Sequence, residues 1–267
     1  MPESSLRDAV EVVIPTRNAP AALWLTLTHL FAYAARGVAR VTLLDNRSDA
    51  PGAAEVLDFA RRAGALVVRH EANVGVWASV NRGLALARSR WVLVLTADVL
   101  LGPGAVGLLR SLAEQAEVPF LGPEVATGLG AAPVLAAAPP EAYDVDLSTY
   151  NGAAFLLDWG LLREKIGWFD PQFYVCCGDT DYVERLRADG LGAGVARGLP
   201  CVHLDKQSRR ADGTARADSE AEVRDLARLR AKWSHAPAVI ARHGLPTADG
   251  LVAAKGGESG WRAELVG

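Results

Sequence analysis

A short, wholly apolar run that ends in acidic and small residues limits what this chain can fold into. Residues 91–95 (WVLVL) suit a strand buried on both faces and are too few for an ordinary helix. Thr96, Ala97 and Asp98 follow, and Pro103 predicts the start of the next helix. Open parallel sheets bind ligands beyond the carboxyl ends of their strands, so Asp98 lies where a metal ion or a phosphate would be bound. A helix-capping role for Asp98 is the alternative, but Pro103 is too distant for it.

Strands and helices alternate along the first half of the chain. Apolar runs predict strands at 10–15, 41–44 and 65–68, and helical spacing predicts a helix over 20–35, one from Asp49 and one through Val80, Leu84 and Ala87. This alternation predicts an α/β fold with a Rossmann-like, doubly wound, mainly parallel sheet and helices on both faces. Each strand ends in a polar cluster, and four clusters at one edge favour a ligand site over four ordinary turns.

The second half gives weaker signals. Residues 125–145 are rich in Ala, Gly and Pro, which predicts a long loop with at most one short strand. Further along, we expect strands at 153–157, 194–196 and 201–204, helices at 159–166 and 220–233, and a helix that follows the sequence CCGDTDY and is closed by Gly190.

Composition narrows the class of protein. The chain has 267 residues, half of them hydrophobic, which is ample for a packed core. A net charge of -3 gives no electrostatic reason to expect nucleic-acid binding. Three cysteines without zinc-type spacing, no signal-peptide pattern and no apolar run of about 20 residues predict a soluble cytoplasmic protein without a transmembrane segment.

The ordered series of motifs resembles one enzyme family. VVIPTRN, VTLLDNRS, ANVGVWASVNRGLALARSRWVLVLTADV, NGAAFLLD, GWFDPQFYVCCGDTDYVERLRADG and VHLDKQS together are similar to the family 2 glycosyltransferases of GT-A fold, nearest to rhamnosyltransferase-like members. The resemblance covers about residues 10–208. It implies a GT-A domain over 1–210, with a nucleotide-sugar half to about 120 and an acceptor half beyond it, and a C-terminal helical extension and tail over 211–267. It also implies inverting transfer of a sugar from a nucleotide-sugar donor to a hydroxyl-bearing acceptor such as a carbohydrate, with a divalent cation, Mg²⁺ or Mn²⁺.

The resemblance also assigns roles to residues. Asp179 would be the base towards the acceptor, Asp98 would hold the cation, and His203 would reach the cation or the diphosphate. The nucleotide-sugar contacts would come from Pro15, Thr16, Arg17, Asn18, Asp45, Asn73, Gly75, Asn81, Thr96, Ala97 and Asp98. Trp168 and Tyr174 are candidate acceptor contacts, with packing in the core as the alternative. Asp181 is a third candidate, for which a helix-dipole role is the alternative. Asp45 would accept a hydrogen bond from the N3–H of uracil or thymine, which favours UDP- or dTDP-sugars.

Two positions depart from the family pattern. The metal motif reads Thr96-Ala97-Asp98 without its first acid, and Gly178-Asp179 has glycine where glutamate is usual. A non-catalytic binding module derived from a transferase is therefore one alternative. A sugar nucleotidyltransferase is another, although it should carry a glycine-rich, basic loop after the first strand, where this chain has PTRNAP. His203 also has a simpler interpretation as a packed histidine.

Overall fold

The computed structural model describes residues 9–34, 37–127, 143–204 and 215–245. The strands are β1 (Val10–Thr16), β2 (Val38–Asp45), β3 (Leu66–Arg69), β4 (Trp91–Leu95), β5 (Val99–Leu101), β6 (Phe120–Thr127), β7 (Asp144–Asp146), β8 (Ala154–Asp158) and β9 (Ala193–His203). The helices are α1 (Pro20–His29, continued by a π-helical turn over Leu30–Ala34), α2 (Ala53–Arg62), α3 (Val76–Leu86), α4 (Ala105–Gln115), α5 (Trp159–Lys165), α6 (Gly178–Ala188), α7 (Ala215–Lys232) and α8 (Pro237–Arg242).

These strands form one sheet in the order β3-β2-β1-β4-β8-β6-β9-β5, with β7 paired to β9. The strands β1 to β4 run parallel to one another, as the alternation of elements predicts. β8 then runs antiparallel between β4 and β6, and β6 pairs in parallel with β9. The prediction of a GT-A type α/β fold is confirmed, and the antiparallel β8 is the feature that divides the sheet into two halves.

Both faces of the sheet are buried. Along β1, Val12 and Ile14 belong to one apolar core, whereas Val13 belongs to the other. Successive side chains of a strand point to opposite faces, so this division shows that helices cover the sheet on both sides. Gly83 allows α3 to approach closely, since a Cβ there would lie 2.3 Å from Cγ1 of Val13.

Two predictions about elements were wrong in detail, and a third falls mostly outside the described residues. The chain does not enter a helix at Pro103 but forms β5 first, because Leu101 can pair with Cys201 of β9, and α4 starts only after Gly104 at φ +68°. The two strands expected at 194–196 and 201–204 are one strand, β9. Of the loop expected over 125–145, the described parts belong to β6 and β7, and residues 128–142 lie outside the described residues.

The C-terminal helices pack against the rest of the fold. Leu229 of α7, Trp233 directly after it and Val239 of α8 belong to the same apolar core as Tyr182 of α6. The boundary predicted near residue 210 falls outside the described residues, and most of the predicted tail does so too. Among the helices of the described ranges, none is both long enough and apolar enough to cross a membrane.

Candidate functional site at the carboxyl edge of the sheet

The parallel strands bring several predicted residues to one edge. Thr16 at the end of β1 pairs in register with Asp45 at the end of β2. β4 ends beside them at Leu95, which pairs with Ala154 at the start of the antiparallel β8. The residues before β8 therefore share this edge with the residues after β1, β2 and β4, where an open α/β sheet binds ligands.

Asp45 is buried at this edge, and one of its carboxylate oxygens lacks a hydrogen-bond partner within the described residues. Its Oδ1 accepts a hydrogen bond of 2.9 Å from the backbone N–H of Ser48. Its Oδ2 has no hydrogen-bond partner within the described residues and lies 3.4 Å from Nη1 of Arg69, an ion-pair distance. Leaving a buried acceptor unpaired costs about 1–3 kcal/mol, so this oxygen is suited to a donor supplied by a ligand.

The corner after β1 is mostly occupied by its own contacts. Oδ1 of Asn18 accepts from the backbone N–H groups of Asp49 and Ala50 at 2.7 and 2.9 Å. Asn18 is buried and adopts φ +48°, so it joins the loops after β1 and β2 and does not present its amide to a nucleotide. Pro15 and Thr16 are buried in β1, whereas Arg17 keeps part of its surface exposed.

The segment after β3 is braced by Tyr174. The backbone carbonyl of Tyr174 accepts from Val76 N–H at 2.7 Å, and its hydroxyl donates to the Asn73 carbonyl at 3.3 Å. Gly75 has φ +84°, and a Cβ there would lie 2.7 Å from the Tyr174 ring. Tyr174 is thus part of the support of the predicted nucleotide segment, which corrects its assignment to the acceptor. Asn46, which was not predicted, donates to the Gly75 carbonyl at 3.3 Å.

Asn81 is used to hold two elements together. Its Nδ2 donates to the Phe169 carbonyl at 2.8 Å, and its Oδ1 accepts from Phe169 N–H at 3.0 Å. Both ends of the amide are therefore bonded to the aromatic turn that precedes α6. The predicted contact of Asn81 with the nucleotide is replaced by this structural role.

Asp98 and His203 meet although 105 positions separate them in the chain. β5 pairs with β9 so that Val99 lies opposite His203, and the Leu204 N–H donates to the Asp98 carbonyl at 2.8 Å. Nε2 of His203 then lies 3.3 Å from Oδ1 of Asp98. Burial acts to raise the pKa of Asp98, but the hydrogen bond and charge of His203 outweigh it and hold that pKa below its ordinary value.

One carboxylate and one imidazole at this distance fit a divalent cation that takes its remaining ligands from a diphosphate and water. Within the described ranges, no group of three or more His, Cys, Asp or Glu side chains could hold a metal ion without such help. Ala97 adds no ligand, because its side chain is buried in the apolar core and its carbonyl accepts from Oγ1 of Thr26 at 3.0 Å. The backbone N–H of Thr96 donates to the Ala153 carbonyl at 2.9 Å, which joins this turn to β8.

Asp179 lies at the same edge, in the first turn of α6. Cys177, the residue before the helix, adopts φ +66° and turns the chain into it. The carboxylate is packed over Gly152, where a Cβ would lie 1.9 Å from Oδ2 of Asp179. Gly152 precedes β8 and is next to Ala153, so Asp179 faces the turn that carries Asp98. Burial raises the pKa of Asp179, although part of the residue remains accessible to solvent.

Asp181 is not an acceptor contact. It is fully buried and accepts from Arg185 Nε at 3.1 Å and from Trp233 Nε1 at 3.1 Å. Nζ of Lys232 in α7 lies 2.9 Å from Oδ1 of Asp181. Asp181 therefore fastens α6 to α7.

Trp168 lies at the opposite edge of the sheet. It is 44% exposed and packs edge-on against Trp159 at 5.0 Å between ring centroids. Trp159 follows Asp158, which pairs with Trp91 at the start of β4. The structure therefore does not bring the exposed ring of Trp168, a predicted acceptor contact, to the strand ends where Asp179 lies.

Two supporting residues were missed in the sequence. Asn151 and Gly152 form the turn before β8, with Asn151 Oδ1 accepting from Ala153 N–H at 2.8 Å. The Asn-Gly dipeptide is a turn signal that could have been read from the sequence. The close approach of Gly152 to Asp179 had no signal, because it depends on the antiparallel pairing of β8.

Comparisons with known proteins support the fold. Residues 11–125, less than half of the chain, match the sequence profile of glycosyl transferase family 2. No curated protein sequence matches the chain significantly. The crystal structure of S. aureus TarS 1-349 is similar with a TM-score of 0.54 and 15% identity, over 74% of this chain and 58% of that one.

GalNAc-T7, crystallised with UDP, GalNAc and Mn²⁺, has a TM-score of 0.60 and 14% identity, over 73% of this chain and 43% of that one. The TarS fragment in complex with UDP has a TM-score of 0.55 and 15% identity, over 74% and 58%. The chain thus spans less than two thirds of the length of these structures. At such identities the similarity establishes the shared fold.

The burial of Asp179 predicts a pH-dependent cost to stability. Its raised pKa means that the native state favours the protonated carboxyl, an advantage that is complete below the ordinary value of 3.8 and lost as pH rises through the folded pKa. We expect Asp179→Asn, which carries no charge, to gain stability relative to the original chain as pH rises through that window. Urea unfolding of both proteins at a series of pH values measures this difference.

Asp189→Asn, at the exposed residue that follows the same helix, is the control for replacing an aspartate by asparagine. A stability difference for Asp179→Asn that is flat or shrinks with rising pH would contradict the burial of a charged carboxylate at this position.

Proposed function

We propose that this chain is a family 2 glycosyltransferase that moves a sugar from a UDP- or dTDP-sugar to an acceptor hydroxyl with inversion. dTDP-rhamnose is one candidate donor, as the sequence resemblance implies. The observation that carries the proposal is the placement of two carboxylates at one sheet edge: Asp98 follows β4, and Asp179 packs over Gly152 beside the start of β8. The match of residues 11–125 to the family profile supports it independently.

Donor binding would use the strand ends. The free oxygen of Asp45 would accept a nucleobase N–H, while the braced segment from Asn73 to Gly75 would lie along the nucleotide. Asp98 and His203 would hold a divalent cation, Mg²⁺ or Mn²⁺. When bound, such an ion neutralises charge on a diphosphate leaving group. GalNAc-T7, a fold neighbour, was crystallised with UDP and Mn²⁺, which is in line with this assignment.

Asp179 would act as the base. Its carboxylate takes the proton of the acceptor hydroxyl as that oxygen attacks the anomeric carbon from the face opposite the leaving diphosphate. Because burial raises the pKa of Asp179, it is a stronger base than an exposed aspartate.

Asp179→Asn should abolish most transfer and leave donor binding intact. The amide keeps the shape and removes the base, so we expect turnover to fall about 10²-fold or more. A screen of UDP- and dTDP-sugars with Mg²⁺ or Mn²⁺, read as released nucleotide, identifies the donor, and calorimetry with UDP measures affinity.

Asp189→Asn on the same helix is the matched control and should turn over normally. Near-normal turnover by Asp179→Asn would reject Asp179 as the base. Nucleotide-sugar binding without any turnover in the original chain would favour the non-catalytic binding module instead.

Removing the cation and removing the Asp98 carboxylate should both weaken UDP binding, because each removes the cation that bridges the protein and the diphosphate. We expect chelation and Asp98→Ala each to lower the affinity, and the two effects together not to add, because both remove one cation bridge. Calorimetry with and without Mn²⁺ on both proteins measures this. Asp58→Ala on the exposed surface of α2 is the control and should keep its full response to metal. Equal affinity of the original chain for UDP with and without metal would overturn the cation site.

The nucleobase preference should follow the free oxygen of Asp45. Uracil and thymine offer an N3–H donor and cytosine does not, so UDP and dTDP should bind roughly ten- to a hundredfold more tightly than CDP. In Asp45→Asn, Oδ1 can keep the Ser48 N–H while Nδ2 takes the place of Oδ2 and donates. We therefore expect this variant to shift preference towards CDP, and Asp45→Ala to flatten it.

Competition of UDP, dTDP, CDP and GDP against a labelled UDP derivative gives the order. Tightest binding of GDP would refute the nucleobase assignment, while the sugar-transfer proposal would be judged by the Asp179 experiment alone.

A further inference from the structure

One carboxylate of the C-terminal region lies fully buried against the loop before α6. Asp225 of α7 has no exposed surface. Its Oδ2 accepts from the backbone N–H groups of Tyr174, Val175 and Cys176 at 2.9, 2.7 and 3.0 Å, and its Oδ1 accepts from Tyr174 N–H at 3.0 Å. Three consecutive N–H groups outside regular secondary structure thus share a single acceptor side chain.

That loop touches both halves of the proposed site. On one side, Tyr174 binds Val76 through its carbonyl at 2.7 Å and covers Gly75. On the other side, Cys176 leads through Cys177, at φ +66°, into the turn of α6 that carries Asp179. The position of the loop therefore sets the positions of the nucleotide segment and of the base together.

A buried carboxylate is costly unless its oxygens are satisfied, and three N–H donors meet that need. Arg228, one turn further along α7, lies 3.4 Å from Oδ1 of Asp225 and donates to the Gln172 carbonyl at 2.6 Å. The guanidinium thus holds the start of the same loop. These contacts give the loop one conformation and tie it to α7.

We propose that Asp225 is a positioning residue that sets the geometry of both donor binding and base catalysis from outside the site. The inference rests on the proposed function. It extends that function to a residue of the C-terminal helix, which touches neither the strand ends nor Asp179 directly. Loss of the Asp225 carboxylate should move the two halves of the site at once, unlike loss of Asp179, which should affect turnover alone.

Asp225→Asn is the test. The amide carries no negative charge, and with its oxygen at the Oδ2 position its NH₂ group faces the Tyr174 N–H and Arg228, so the charge-assisted hydrogen bonds that hold the loop are weakened. We expect turnover to fall on the order of 10²-fold, as for misplaced catalytic groups, and the Kd for UDP to rise about five- to tenfold. Backbone hydrogen exchange should accelerate at residues 174–178 and at 73–76, with protection of β1 and β4 unchanged.

Asp158→Asn is the matched control. Asp158 is also a buried carboxylate that binds a backbone N–H, that of Leu161, and an arginine, Arg90, but at the opposite edge of the sheet. It should lose stability while keeping both kinetic constants and the exchange pattern of the loop. Unchanged turnover and UDP affinity in a folded Asp225→Asn protein would overturn the proposal.

A second variant tests the proposal if Asp225→Asn does not fold. Arg228→Gln changes a side chain that is 45% exposed and should fold, with smaller losses of turnover and UDP affinity in the same direction. Its kinetic constants, if unchanged, would overturn the proposal. Failure of the original chain to bind any nucleotide would refute the proposed function, whereas the exchange experiment would still show whether Asp225 couples residues 174–178 to 73–76.

Discussion

The antiparallel pairing of β8 with β4 is the constraint on which the candidate site depends. Parallel strands connected by helices bring their own carboxyl ends to one edge, and that accounts for Asp45 and Asp98. A residue from the second half of the chain reaches this edge only if a strand there starts where β4 ends. Leu95 lies opposite Ala154, and the Thr96 N–H bonds to the Ala153 carbonyl, so the turn at Gly152 is placed beside the turn at Asp98. Asp179 then needs only to pack over Gly152 to face the turn at Asp98.

The buried carboxylates fall into two groups, according to whether all their oxygens have hydrogen-bond partners within the protein. Asp181 binds Arg185, Lys232 and Trp233, and Asp225 binds three backbone N–H groups. Both are complete within the protein, and both hold elements together. Within the described residues, Oδ2 of Asp45 has an ion-pair contact with Arg69 but no hydrogen-bond partner, and burial raises the pKa of Asp179. A carboxylate that lacks a hydrogen-bond donor, or whose pKa is raised, can bind a ligand or take a proton from a substrate. A carboxylate whose oxygens are all hydrogen-bonded within the protein is less suited to either role. The same residue type thus separates into structural and candidate functional members.

The strands and helices of the first half of the chain could be predicted from the sequence, because buried strands and amphipathic helices have characteristic patterns of apolar residues. The sequence also placed Asp45, Asp98 and Asp179 at turns that the structure brings to one edge. It failed where position depends on contacts between distant segments. Asp181 and Tyr174 are residue types that often bind ligands. Their partners lie on α7 and α3, and no local sequence pattern predicts these contacts. β5 was missed because three residues become a strand only by pairing with β9. The roles of Asn18 and Asn81 depend likewise on backbone groups of distant loops.

Packing disfavours an acidic side chain at two positions of the candidate site, Ala97 and Gly178. Ala97, the middle residue of the Thr96-Ala97-Asp98 motif, points into the apolar core, and a carboxylate there would be buried without partners. Where the base motif usually has glutamate, Gly178 lies under Trp77, and a Cβ at that position would be 2.5 Å from the indole ring. Trp77 also stacks on Phe169 at 5.0 Å, so the ring cannot move aside without disturbing the aromatic turn before α6. The glycine and the tryptophan are therefore coupled: the space of the missing glutamate is filled by an aromatic ring. Asp179 is consequently left without a neighbouring acid at position 178, and its basicity depends on burial.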